Sequence, residues 1–163
     1  MAQTILALCS LLNAEMEALE KAFPVIKLWQ SPNPEKTLRE NSHTIAGIVS
    51  STSTPVTRRM MEALPELEIV SQFAVGVDNI DLQAAKEHGV FVTNTPDILT
   101  ADTADTAVAL LMCVSRRICE ADMYVRFGKW ESAHFGLGTS LAGKKAGIIG
   151  LGRIGAAIAV RLK

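Results

Sequence analysis

Residues 145–163 read KAGIIGLGRIGAAIAVRLK and contain the strongest structural signal in the chain. The apolar run 145–149 is typical of a β-strand, and an alanine-rich helical stretch ends the segment. Between them, Gly150, Gly152 and Gly155 follow the spacing G-x-G-x-x-G, which in this context predicts a dinucleotide-binding turn. Gly150 permits the tight turn, Gly152 lets the backbone approach a pyrophosphate, and Gly155 lets helix and strand pack closely.

The candidate cofactor-binding residues of this motif are Gly150, Leu151, Gly152, Arg153, Ile154 and Gly155. The N-terminus of the following helix offers free backbone N–H groups and a partial positive charge to an anion. A purely structural glycine turn is the alternative interpretation. The acidic residue that holds the ribose belongs about 20 residues beyond the motif, and the sequence ends at Lys163. The motif therefore does not separate NAD from NADP.

Upstream of this motif, short apolar runs alternate with amphipathic stretches. Five of these runs predict strands, at residues 4–8, 25–28, 45–49, 67–73 and 90–93. Strands separated by helical segments are typical of a parallel sheet covered on both faces, so we predict an α/β fold. An antiparallel α+β arrangement is the alternative.

Capping residues and helix breakers delimit the helices between these strands. The predicted N-caps are Asn13, Thr54 and Asp81. Pro55 would then occupy the first helical position behind Thr54. The sequence His88-Gly89 is typical of a helix C-terminus. The polar stretch 34–42 is compatible with either a weak helix or a loop.

The pattern changes after residue 98. The longest helical signal in the chain is formed by Ala107, Leu110, Leu111, Val114 and Ile118. The same helical pattern extends to Phe127, and the aromatic, glycine-rich stretch 128–138 that follows predicts an ordered loop.

Composition excludes several classes of protein. The 163 residues contain 16 basic and 17 acidic side chains, so no excess of positive charge is available to neutralise nucleic-acid phosphates. Three cysteines are too few for a disulfide framework and predict reduced thiols. The N-terminal segment has no basic n-region, and its apolar run is too short to span a membrane. We therefore expect a cytoplasmic globular protein that binds neither nucleic acid nor membrane, with no spacing typical of a metal site.

Three stretches together resemble the D-isomer-specific 2-hydroxyacid dehydrogenase family. They are SQFAVGVDNIDLQAAKEHGVFVTNTP (71–96), TADTADTAVALLMCVSRRI (100–118) and LAGKKAGIIGLGRIGAAIAVRLK (141–163). They are most similar to the plant-type branch of glyoxylate/hydroxypyruvate and hydroxyphenylpyruvate reductases. The resemblance implies NAD(P)H-dependent reduction of a small 2-oxo acid to the D-2-hydroxy acid, with NADP slightly favoured over NAD, in a homodimer.

The resemblance also implies a division into two domains. Residues 1–98 would form the substrate domain, with a flavodoxin-like parallel sheet. Residues 99–163 would form the interdomain helix and the first βα unit of a Rossmann nucleotide-binding domain, which is incomplete in this sequence.

Four residues outside the glycine motif acquire roles from the same resemblance. The backbone N–H groups of Val75 and Gly76 would hold the substrate carboxylate, an arrangement that suits a glycine turn at a strand end. Thr52 would lie near the substrate, and Thr103 would face the nicotinamide. Each has a simpler interpretation, since Gly76 suits any turn, Thr52 any loop and Thr103 a helix cap.

The catalytic Arg, Glu and His of this family follow the first βα unit of the nucleotide domain, so no catalytic residue is identified in 1–163. His43, His88 and His134 are the three histidines, and none lies in a matching motif. Two functions are therefore compatible with the sequence. One is the family's reductase activity. The other is a catalytically inactive truncated product that binds a small acid or dimerises with the full-length enzyme.

Overall fold

A five-stranded parallel sheet forms the first of two units in the computed structural model, which describes residues 3–163. The strands are β1 (Thr4–Ala7), β2 (Val25–Lys27), β3 (Ile45–Ser50), β4 (Ile69–Gln72) and β5 (Phe91–Thr93). Their order is β2-β1-β3-β4-β5, and all four pairings are parallel. The predicted α/β class is confirmed, and the antiparallel alternative is excluded.

Four helices connect these strands: α1 (Asn13–Ala22), α2 (Pro34–Asn41), α3 (Arg58–Glu62) and α4 (Leu82–Glu87). A short 3-10 turn, Leu28–Gln30, precedes α2. The central strand β3 is buried along its whole length. Leu6, Ile48 and Val70 from three neighbouring strands form the centre of the apolar core. The polar stretch 34–42 is therefore a helix over most of its length, with Asn33 as its cap.

Two of the three predicted N-caps are wrong. Asn13 is the first residue of α1, and the cap position is occupied by Leu12 without a side-chain hydrogen bond. Thr57, and not Thr54, caps α3, because Val56 pairs with Ile80 in a β-bridge and keeps the preceding backbone extended. The prediction at Asp81 is confirmed, since its Oδ1 accepts the Ala84 N–H at 2.8 Å.

One face of the sheet is only partly covered, contrary to expectation. Phe73, which follows β4, is 44% exposed, and Phe91, the first residue of β5, is 75% exposed. The helices of this unit therefore protect the opposite face of β4 and β5, on which Val70 is buried.

The second unit begins at Asp97 and contains α5 (Thr100–Arg116), α6 (Ile118–Arg126) and α7 (Arg153–Arg161). The predicted long helix is interrupted between α5 and α6, because Arg117 adopts a left-handed conformation with φ of +56°. The glycine-rich stretch 128–138 is ordered around this break. The Arg117 guanidinium lies 4.6 Å from the ring centroid of Phe135, and a 3-10 turn spans Lys129–Glu131.

Residues 145–149, predicted as a strand, are not one in this structure. Within residues 3–163 no other strand pairs with them. A β-strand needs a neighbour for its hydrogen-bond ladder, so the segment is left unpaired. Ile149 is fully exposed as a result.

Over the described part of the chain, no helix combines the length and the apolar character needed to cross a membrane.

Candidate functional site

The turn after β4 displays free backbone N–H groups. It comprises residues 74–77 and is named the 74–77 turn. The N–H groups of Val75, Gly76 and Val77 donate to no acceptor within residues 3–163. The carbonyls of the same turn, by contrast, are all engaged. Ordered N–H groups with no protein partner are what an anion such as a carboxylate requires.

The Ile80 N–H reaches the carbonyl of Val77 at 3.0 Å, and three further donors engage the other carbonyls of the 74–77 turn. The Thr95 N–H reaches the carbonyl of Ala74 at 3.0 Å, and Asn94 Nδ2 reaches that of Val75 at 2.7 Å. Gln72 Nε2 donates to the carbonyl of Gly76 at 3.1 Å. In a planar trans peptide the carbonyl and the next N–H point in opposite directions. Each of these hydrogen bonds therefore fixes the direction of one free N–H group.

The loop after β3 contains Thr52 and is connected to the 74–77 turn by side-chain amides. Gln72 donates to Asn79 Oδ1 at 2.8 Å. Asn79 Nδ2 in turn donates to the carbonyls of Ser51 and Thr54, at 2.8 and 3.0 Å. Because β3 and β4 are adjacent parallel strands, both loops lie at the carboxyl edge of the sheet. Thr52 is exposed at the tip of its loop.

Asp78 places a negative charge beside this turn. Its Oδ2 lies 3.3 Å from the position that a Cβ would occupy at Gly76. A side chain at Gly76 would thus approach the carboxylate, and a bound acid would be repelled by it.

The two histidines of the first unit lie at the opposite edge of the sheet from the 74–77 turn. His43 lies just before β3 and His88 just before β5, so both are at the amino edge of the sheet. The 74–77 turn lies at the carboxyl edge, and neither imidazole is placed to donate a proton there. His134 belongs to the second unit.

In the second unit, the glycine motif forms a tight turn that opens α7. Gly150 has a φ of +88°, a conformation that glycine adopts without strain. Gly152 is the N-cap of α7, and a Cβ there would meet nothing within 4 Å. The N–H groups of Arg153, Ile154 and Gly155 donate to no acceptor in the described chain. The open space at Gly152 and these free N–H groups fit a pyrophosphate.

Position 155 requires glycine because any side chain there would clash with the backbone of Gly150. A Cβ at this position would lie 2.2 Å from the carbonyl oxygen of Gly150 and 3.4 Å from Ile148 Cγ2. The contact is with the turn itself, and not with a strand as the sequence pattern implies. Leu151, at the tip of the turn, is 72% exposed.

Two ion pairs connect α7 to the beginning of this unit. Arg153 Nη1 lies 2.9 Å from Asp97 Oδ2, and Arg161 pairs with Asp105 of α5. Arg153 is thus paired with a carboxylate while the N–H groups of its helix remain free.

Thr103 lies inside α5, and its N–H donates to the carbonyl of Leu99 at 2.9 Å. The cap position is Leu99, so the simpler interpretation of Thr103 as a helix cap is wrong. Its side chain is on the exposed surface of the helix.

Sequence reasoning missed the three side-chain amides at positions 72, 79 and 94. Gln72 is 1% exposed and follows Val70 on the buried face of β4. A polar residue where strand alternation requires an apolar one is a signal that could have identified it.

No group of three or more His, Cys, Asp or Glu side chains suited to a metal ion occurs among residues 3–163.

Comparison with known proteins gives a family. The model of the D-isomer specific 2-hydroxyacid dehydrogenase catalytic domain matches residues 5–158. The chain belongs to this family. Glyoxylate/hydroxypyruvate reductase A of Arabidopsis thaliana is 46% identical over 157 residues, which are 96% of this chain and 50% of that protein. Hydroxyphenylpyruvate reductase of Plectranthus scutellarioides is 44% identical over the same shares of the two chains.

Solved structures of the dehydrogenase family agree with this assignment. A 2-hydroxyacid dehydrogenase from Ketogulonicigenium vulgare Y25 superposes with a TM-score of 0.91 at 38% identity, over 99% of this chain and 52% of its own. An NADPH-dependent glyoxylate/hydroxypyruvate reductase from Sinorhizobium meliloti, in complex with NADP and malonate, gives 0.82 at 35% identity, over 99% and 50%. The chain thus spans about half the length of the relatives it matches.

Proposed function

We propose that residues 74–77 and 150–155 supply the acid-binding and pyrophosphate-binding turns of an NAD(P)H-dependent reductase, which converts a small 2-oxo acid to the D-2-hydroxy acid. The observation that carries the proposal is the 74–77 turn. Its carbonyls are engaged by the protein, while the N–H groups of Val75 and Gly76 are left for a carboxylate.

The proposed roles of the individual residues come from the family resemblance, and the free N–H groups of the two turns support those of residues 75–76 and 150–155. Val75 and Gly76 donate to the substrate carboxylate, and Thr52 borders the substrate from the neighbouring loop. In the second unit, the backbone of residues 150–155 receives the pyrophosphate, and Thr103 faces the nicotinamide. The dinucleotide supplies the hydride, while these residues bind and orient the two reactants.

The substrate class is a small 2-oxo acid such as glyoxylate or hydroxypyruvate, or the bulkier hydroxyphenylpyruvate. The names of the relatives from Arabidopsis and Plectranthus support this choice. NADP is slightly favoured as the dinucleotide, because the relative from Sinorhizobium was solved with it. NADPH and NADH offered separately at equal concentration would decide between the two coenzymes.

A second candidate function is binding without turnover by these 163 residues alone. It is favoured by the position of His43 and His88 at the amino edge of the sheet, opposite the 74–77 turn. Hydride transfer to a 2-oxo group needs a proton donor at the developing alkoxide. This chain would then bind a small acid, or dimerise with the complete enzyme through α5 and α6, where Val114 is 79% and Val125 58% exposed.

One experiment tests both candidates. The purified chain is mixed with NADPH and glyoxylate, and the absorbance of the nicotinamide is followed, while an amide NMR spectrum records binding. Shifts at Val75 and Gly76 without loss of absorbance support binding alone. Sustained turnover refutes the second candidate, and unchanged Val75 and Gly76 signals at saturating glyoxylate refute carboxylate binding by this turn.

Dimerisation has its own measurement. Light scattering of the purified chain would detect self-association through the same helices, and Val114→Glu should convert such a dimer to a monomer if α5 forms the interface. Thr106→Glu, which also places a charge on the exposed surface of α5, is the matched control. A dimer that survives Val114→Glu would exclude this interface.

A further inference from the structure

The orientation of the side-chain amides at Gln72 and Asn79 is fixed by their partners. Asn79 Nδ2 faces two carbonyls, so Asn79 Oδ1 must face Gln72. The amino group of Gln72 must then face Asn79 and the carbonyl of Gly76. The remaining acceptor, Gln72 Oε1, is buried and has no partner within residues 3–163.

An unsatisfied acceptor at a residue that is 1% exposed destabilises the fold. An apolar residue at position 72 would avoid this cost, but it would leave the carbonyl of Gly76 and Asn79 Oδ1 without a donor. The useful part of Gln72 is therefore its amino group, which fixes the 74–77 turn relative to the loop that contains Thr52.

Asn94 acts on the preceding peptide from a different element. It follows β5, and its Nδ2 contacts the carbonyl of Val75 at 2.7 Å. The peptide that joins Val75 to Gly76 carries the Gly76 N–H, and the peptide that joins Gly76 to Val77 carries the Val77 N–H. Asn94 therefore sets the direction of the first N–H group, and Gln72 sets that of the second.

We propose that Asn94 and Gln72 are positioning residues that aim the N–H groups of Gly76 and Val77 at the substrate carboxylate. Val77 then joins Val75 and Gly76 as a third backbone donor. This inference rests on the proposed function, because it takes a carboxylate as the ligand of the 74–77 turn. Preorganised donors bind more tightly than mobile ones, because their ordering cost is met on folding.

The first test uses the ligand-free chain and measures ¹⁵N order parameters of the turn. Asn94→Ala and the isosteric Asn94→Asp both remove the donor to Val75. Each should lower the order parameter of the Gly76 N–H from about 0.85 to below about 0.6, while the order parameter of the Val77 N–H changes less. Gln72→Met should produce the reverse pattern. Matched controls are Asn41→Ala, which removes a comparable amide from α2, and Gln83→Met, at an exposed amide of α4.

The second test titrates each variant with glyoxylate and follows the same amides. In the wild type, all three N–H signals should shift together with one dissociation constant. Asn94→Ala and Gln72→Met should each weaken binding by about threefold to tenfold, as expected for the loss of one positioning contact. The two controls should bind as the wild type does.

The outcomes separate this inference from the function on which it rests. If glyoxylate moves none of the three amides, both fail. If it moves Val75 and Gly76 but not Val77, or if the variants keep wild-type order and affinity, only the positioning inference is overturned. Should Gln72→Met fail to fold, the two variants of the exposed Asn94 decide the question alone.

Discussion

Gly155→Ala is the substitution for which the structure sets the clearest magnitude. The new Cβ would lie 2.2 Å from the carbonyl oxygen of Gly150, whereas ordinary contact begins at 3.4 Å. The turn and α7 must therefore separate by about 1.2 Å, and overpacking of this kind costs about 1–3 kcal/mol. Since α7 follows the turn directly, the cost falls on the helix whose N-terminus is proposed to bind the pyrophosphate.

Amide hydrogen exchange along α7 measures this cost without a ligand. A loss of 1–3 kcal/mol corresponds to exchange that is faster by about 5- to 150-fold. The same variant should lose the shifts that inorganic pyrophosphate produces at the N–H groups of Arg153 and Ile154, because their positions depend on the closed turn.

Gly152→Ala is the matched control in the same motif. Its φ of −79° suits any residue, and its Cβ would enter open space. Exchange in α7 should stay at the wild-type rate, while pyrophosphate binding weakens because a methyl group now occupies the approach to the backbone. Wild-type exchange in Gly155→Ala would refute the contact argument, and equally fast exchange in both variants would refute the distinction between them.

Two further predictions concern the first unit. Asp78→Asn should tighten glyoxylate binding about threefold, because two carboxylates about 6 Å apart in water, one on Asp78 and one on the ligand, would repel by about 0.7 kcal/mol. The gain in affinity should vanish at high salt. Unchanged affinity at low salt would show that Asp78 does not act on the ligand. A hydrogen bond from Arg58 of α3 is the main cause that lowers the pKa of Glu87 of α4, and a hydrogen bond from Gln83 adds to it. A lowered folded-state pKa stabilises the fold above the unfolded value of about 4.3, and this contribution is lost as pH falls through the folded value. Glu87→Gln should therefore flatten the decline of the urea midpoint between about pH 5 and pH 3, and parallel declines in both proteins would contradict it.

The parallel sheet could be predicted because its signals are local. Each strand is a short apolar run, and Asp81 precedes its helix with the acceptor that the first turn needs. The misplaced caps have a tertiary cause. Thr54 has the correct side chain for a cap, yet the pairing of Val56 with Ile80 keeps the chain extended until Thr57. Such a bridge joins segments far apart in sequence, and no local pattern announces it.

The same distinction applies to the candidate site. The glycine spacing predicted the turn at 150–155, and the resemblance pointed to Val75 and Gly76. Neither indicated how the 74–77 turn is fixed, because its donors come from the end of β4 and from the segment after β5. A side-chain amide has two donor and two acceptor positions, and the sequence does not show which groups these positions face. Only the arrangement of strands shows which carbonyl it faces, and therefore which N–H group it leaves free for a ligand.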